Sequence, residues 1–165
     1  MITVQQDVLD VSVYDEDGKF LTELKFNQKV GFTLNNRNEN AYLSIQDAVQ
    51  NLGMLSLLGE SIENSIKSDF DANTFTKPDV KIIKFNNSSK PTKLKLVATG
   101  LDYNTDTAEI EHDIKIIFPK VELMKEHEFI FKAGEAQPPS YSFRIKPYND
   151  AGDLYEMQFK KRSLK

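Results

Sequence analysis

The chain has 165 residues, 39% of them hydrophobic and 28% charged, with no cysteine and a formal charge of −4. A chain of this length buries roughly 70% of the surface its unfolded form exposes, enough for one core without disulfide or metal staples. The missing cysteines exclude a disulfide framework, thiol catalysis and thiolate metal sites, and the net acidity argues against a nucleic-acid backbone or an anionic membrane as the main partner.

The charge is unevenly spread. Residues 1–82 hold 13 acidic and 7 basic side chains, whereas residues 83–165 hold 12 and 14. Asp15, Glu16 and Asp17 mark the acidic extreme, while Lys160, Lys161, Arg162 and Lys165 make a basic tail over 160–165. Two readings stand side by side: a solvated surface with a frayed tail, or a polar molecule whose ends attract in a stacked assembly. The opening MITVQQDVLD lacks the basic start and apolar run of a signal peptide. No stretch approaches the roughly 20 apolar residues that cross a bilayer. The expectation is a chain made in the cytoplasm, neither secreted through a signal peptide nor inserted in a membrane.

Alternation begins at once. Leu9, Val11 and Val13 share one side, and after the turn Asp15-Glu16-Asp17-Gly18 the pattern resumes through Phe20, Thr22, Leu24 and Phe26, which predicts a β-hairpin with an Asp-Gly turn. Val30, Phe32 and Leu34 predict a third strand. The polar loop 35–40 then leads into a short fourth, 41–45.

At Ser44 the period changes from two to 3.6. Apolar residues at 45, 48, 49, 52, 55, 62 and 66 lie on one stripe and predict a helix over 46–67, with Ser44 as its cap. Gly53 and Gly59 inside it predict a break or kink. Met54, Leu57 and Leu58 widen its apolar face, either for deep burial in the chain's own core or for contact with a neighbouring subunit.

After Pro78 the chain reads as strands: 80–86, two long ones around 101–106, one near 128–132, and a last pair around 149–152. Charge and burial together favour a register setting Lys95 against Glu111 and Leu96 against Ile110. For the last pair they set Tyr141 against Phe159 and Phe143 against Met157. The sum is about ten antiparallel strands with one helix packed on them, a mainly β sandwich or barrel forming a single domain over 1–165.

Chemistry-bearing constellations are sparse. His112 lies on an apolar strand face, where a neutral ring bonded to backbone is expected, and His127 sits in a polar connector. The acidic turns at 15–18 and 102–106 lack the full spacing of a calcium loop and read as hairpin turns. Glycine-rich phosphate loops, nucleophile elbows and zinc helices do not occur. A glycan-binding module would need an aromatic platform, for which only Tyr103, Tyr141 and Tyr148 are available. No catalytic residue, metal site or cofactor is assigned, and the chain is expected not to be an enzyme.

In arrangement the sequence resembles the bacteriophage tail-tube family, in which a β-sandwich flanked by one helix forms stacked hexameric rings. The resemblance lies in the order of the first hairpin 9–26, the polar loop 35–40, the helix 46–67 and the closing hairpin 141–159. It implies a structural virion protein whose partners are copies of itself and other virion proteins, with no sequence-specific nucleic acid. The interface candidates are then Met54, Leu57 and Leu58, the acidic Asp15, Glu16 and Asp17, and the basic Lys160, Lys161 and Arg162. One departure is that loop 35–40 is short for the extended loop by which tube subunits reach a neighbour. The hairpin tip 15–18 or the loop 134–139 would have to serve. The reading from a different class is a non-catalytic sandwich that binds a glycan or protein through its turns.

Overall fold

A computed structural model of the chain describes residues 4–25, 31–37, 40–46, 51–62, 82–86, 91–104, 106–125, 127, 129, 132–134 and 139–162. The chain is mainly β, with one helix. In order, the elements are β1 (Val4–Asp15), β2 (Phe20–Lys25), β3 (Gly31–Arg37), β4 (Asn40–Gln46), α1 (Leu52–Leu58), β5 (Glu60–Ile62), β6 (Ile82–Lys84), β7 (Thr92–Asn104), β8 (Ile110–Leu123), β9 (Ser140–Ile145) and β10 (Glu156–Lys161). The predicted strand near 128–132 lies largely outside the described residues.

The first hairpin forms as its turn chemistry dictates. Asp15 Oδ1 accepts from the N–H groups of Asp17 and Lys19 at 2.9 and 2.8 Å, and Gly18 supplies the left-handed conformation at φ 89°. Val11 and Val13 on β1 and Leu24 on β2 are fully buried, as the alternation requires. The polar segment 35–40 is a correction: Asn35, Asn36 and Arg37 continue β3 and pair with Tyr42, Ala41 and Asn40 of β4. Two strands that pair to their ends leave no extended loop there.

Eight strands make one antiparallel sheet in the order β2-β1-β7-β8-β9-β4-β3, with β10 also on β8; β5 and β6 pair separately. The sheet divides along β8. Residues 112–117 pair with β10, whereas Val121, Glu122 and Leu123 pair with β9. Between these stretches lies Pro119, which has no N–H to donate, and the β7–β8 register shifts between Leu94 and Leu96. A bulge of this kind bends a strand. The second half of β8 thereby takes β9, β4 and β3 over the first half, and Phe32 of β3 comes to rest 6.4 Å from Phe118 of β8. Tyr155 meets the same ring at 5.6 Å and its hydroxyl accepts from Asn36 Nδ2 at 2.6 Å. Between the two layers lie Leu43 and Ile45 of β4, Leu94 and Leu96 of β7, Phe118 and Val121 of β8 and Phe143 of β9.

Two registers differ from the sequence expectation. In the β7–β8 hairpin, Leu96 faces Phe118 and Lys93 faces Glu122, because the strands run on to a turn over 104–109 rather than folding around 101–106. Asn104 Oδ1 accepts from Asp106 and Thr107 N–H, and Ala108 takes φ 59° to complete the reversal. Strands β9 and β10 do not pair with each other. Tyr141 faces Ile45 of β4, and Phe159 faces Ile114 of β8. The turn around 149–152 does form, with Asn149 Oδ1 accepting from Asp153 N–H at 3.0 Å and Gly152 at φ 83°.

The helix is present but short. It covers 52–58 instead of 46–67, with Asn51 in place of Ser44 as the cap: Asn51 Oδ1 accepts from Met54 N–H at 3.1 Å. Ile45 belongs to β4, Gly59 ends the helix in extended conformation, and Ile62 belongs to β5; residues 47–50 and 63–67 lie outside the described set. Seven residues are too few for an independent helix. Packing holds it: Met54 and Leu58 enter the core, and Lys125 Nζ donates to the carbonyls of Leu57 and Leu58 at its C-terminal end.

Candidate assembly surface

The sequence-predicted interface residues divide into three groups in the structure. Met54 is 0% exposed and Leu58 7%, so neither is offered to another subunit; their apolar face is spent on the chain's own core. Leu57 is partly buried against the same cluster. The exposed apolar residue of the helix is Leu52, at its other end.

Asp15, Glu16 and Asp17 form the tip of the first hairpin, with Glu16 and Asp17 exposed. Lys160 and Lys161 belong to β10, and Arg162 follows directly; residues 163–165 lie outside the described set. The register places tip and tail at opposite ends of the sheet, since Asp15 faces Leu94 of β7 while Lys161 faces His112 of β8. Each end nevertheless mixes signs. Lys19 and Lys93 lie near the acidic tip, and Asp106, Glu109, Glu111 and Asp113 near the basic end.

The tail at 160–162 is also not frayed. Arg162 Nη2 and Nε donate to Asp113 Oδ1 at 2.8 and 3.1 Å, and Arg162 N–H donates to the Glu111 carbonyl. The hydrogen bond from Arg162, with further pull from its charge and that of Lys160, holds the Asp113 carboxyl below the usual carboxylate range. Part of the basic charge is thus committed inside the chain.

The surface that sequence reasoning missed consists of strand edges. All six side chains of β10 are exposed, and among the described residues β10 pairs only with β8. Met157 and Phe159 face Ile116 and Ile114, so they extend the inner face of β8 beyond the cover of the second layer. Their exposures are 40% and 49%. At the far edge, β2 pairs among the described residues only with β1 and presents Phe20 and Leu21 at 54% and 36%. Natural monomers blunt such edges with charge, proline or cover, because open backbone groups beside apolar side chains invite another strand. The alternation at 157 and 159 was visible in the sequence; that no second layer covers it was not.

The remaining candidates are accounted for locally. His112 is bonded to the carboxylate of Asp102, not to backbone: Nδ1 donates to Oδ2 at 2.6 Å, and the ring stands edge-on to Phe159. His127 Nδ1 donates to the Lys125 carbonyl, and its ring lies tilted against Phe85 and edge-on to Phe129. Asn104 Oδ1 and Asp15 Oδ1 are taken up by turn N–H groups. Tyr141 is a core residue at 2% exposure, so the three tyrosines do not form one platform. No described helix is long and apolar enough to cross a membrane.

The described residues thus form an open, mainly β sheet with one short packed helix and exposed apolar side chains on two of its outer strands. The sequence model of the YomU/Tube protein family matches residues 2–157, and the chain belongs to that family. Membership supports the tube-like phage structural class that the order of elements suggested, and with it a component of the virion. No curated protein matches the chain.

Proposed function

We propose that the protein is a self-assembling structural component of a phage tail, a tail-tube subunit or an adjacent tail component, whose copies form stacked homo-oligomeric rings and contact other virion proteins. It acts by shape and repeated contact, without catalysis or a cofactor. The observation behind this reading is the pair of free strand edges. Strands β2 and β10 bound the half-sheet β2-β1-β7-β8-β10, and each combines a backbone edge with no partner among the described residues with large exposed apolar side chains. Edge-to-edge addition would turn this aggregation liability into an assembly contact, and a head-to-tail contact whose rotation closes makes a ring. Family membership points the same way.

Light scattering on the purified chain, with and without Met157→Lys and Phe159→Lys, tests it. Both side chains are exposed, so the fold should persist by circular dichroism while oligomers disappear. Oligomers of unchanged mass in the doubly substituted chain would refute the role given to this edge.

A further inference from the structure

The β10 edge is complementary to itself. Reading Glu156-Met157-Gln158-Phe159-Lys160 against a second copy in the opposite direction, with Gln158 at the centre, sets Glu156 against Lys160 and Met157 against Phe159, each twice. The faces agree as well. Met157 and Phe159 lie on the side of Ile116 and Ile114, while Glu156 and Lys160 lie on the side of Ile117 and Asp113. The pairing therefore matches apolar with apolar on the inner face and acid with base on the outer one.

The geometry points to a two-fold dimer of the free chain, in which β10 of one copy adds antiparallel to β10 of a second copy about an axis through Gln158. Three features converge on that partner: the backbone edge that has no partner among the described residues, the exposed Met157 and Phe159, and the charge order along the strand. An isologous contact of this kind closes on itself. A junction of five residues a side is small beside the roughly 1,200 Å² of stable interfaces, so the dimer is reversible and concentration-dependent. Its place in assembly rests on the tail-component reading above. Growth of a ring through the β10 edge requires the dimer to release it, so the pairing shields the edge until copies are incorporated.

The chain has no cysteine, so Gln158→Cys introduces a single thiol. Directly opposed residues of antiparallel strands have Cα atoms about 4.5–5.5 Å apart, within the span a disulfide bridges. Under mild oxidation the Q158C chain should convert to a covalent dimer at least tenfold faster than L21C, whose thiol sits on the β2 edge. Glu156→Lys should abolish the dimer by light scattering, and adding Lys160→Glu to it should restore it. Equal cross-linking of Q158C and L21C, or a double exchange that stays monomeric, would overturn the dimer whether or not rings form. Rings with no dimer at any concentration would overturn it while leaving the tail-component reading intact. Dimers that never grow would support it and refute that reading.

Discussion

Asp102 and His112 face each other across β7 and β8, with His112 Nδ1 2.6 Å from Asp102 Oδ2. The Asp102 side chain is 4% exposed and its other oxygen, Oδ1, has no hydrogen-bond partner among the described residues, whereas His112 is 30% exposed. The pair ends the row of inward-facing positions on the two strands, closing the core with a polar contact. His112→Ala leaves a carboxylate in the interior without its one side-chain donor, and should cost about 2–3 kcal/mol by urea denaturation. That is less than the 3–5 typical of a fully buried pair, because the imidazole is partly solvated. Replacing both residues by Leu should recover most of the loss, and a double replacement worse than His112→Ala alone would show that the pair itself is net stabilising.

The Asp113–Arg162 contact predicts a pH response at the end of β10. Arg162 lowers the Asp113 pKa, so the contact contributes fully above the ordinary carboxylate value and is lost as pH falls through the lower folded one. Protection of the amides at 159–162, corrected for the intrinsic slowing of exchange in acid, should therefore fall on acidification below the usual carboxylate range. Arg162→Ala should already show the faster exchange at neutral pH, with a flatter profile.

Gly59 ends the helix beside β6, where an added Cβ would lie 2.6 Å from Ile83 Cγ2 and 2.9 Å from the Lys84 carbonyl oxygen. Propensity alone would favour Ala at a helical site by about 1 kcal/mol. Crowding against backbone wins here, and Gly59→Ala should destabilise the chain by about 1–3 kcal/mol in thermal or urea unfolding.

Met54 and Leu58 test whether the helix face is core or contact. Met54→Ala and Leu58→Ala should each cost about 2–5 kcal/mol of stability and leave the oligomer mass of the folded fraction unchanged. A smaller stability loss accompanied by a lower oligomer mass would place them at a subunit interface instead.

Local chemistry made some of this fold legible in the sequence. The first hairpin was readable because Asp15 and Gly18 fix both the turn and the register. The β7–β8 strands were readable, but their register was not. Alternation repeats every two residues, so matching Lys95 to Glu111 satisfied it as well as the observed pairing of Val97 with Ile117. The turn at Asn104 depends on Ala108 adopting a conformation that its side chain does not favour. Pairing of β9 with β4, and of β10 with β8, joins segments far apart in the chain and leaves no local mark. The helix was overextended because its stripe ran through Ile45 and Ile62, which are strand residues on either side. The candidate surface is half legible: charge marks the tail at Lys160 and Lys161, whereas the alternation of Met157 and Phe159 suits pairing with β9 as well as it suits the observed pairing with β8.

Negative-stain electron microscopy of the purified chain over a wide concentration range tests the central claim most directly. Rings or stacked tubes of uniform diameter are expected, and they disappear in the Met157→Lys, Phe159→Lys chain while its circular dichroism is unchanged. Particles no larger than a dimer at every concentration would contradict it.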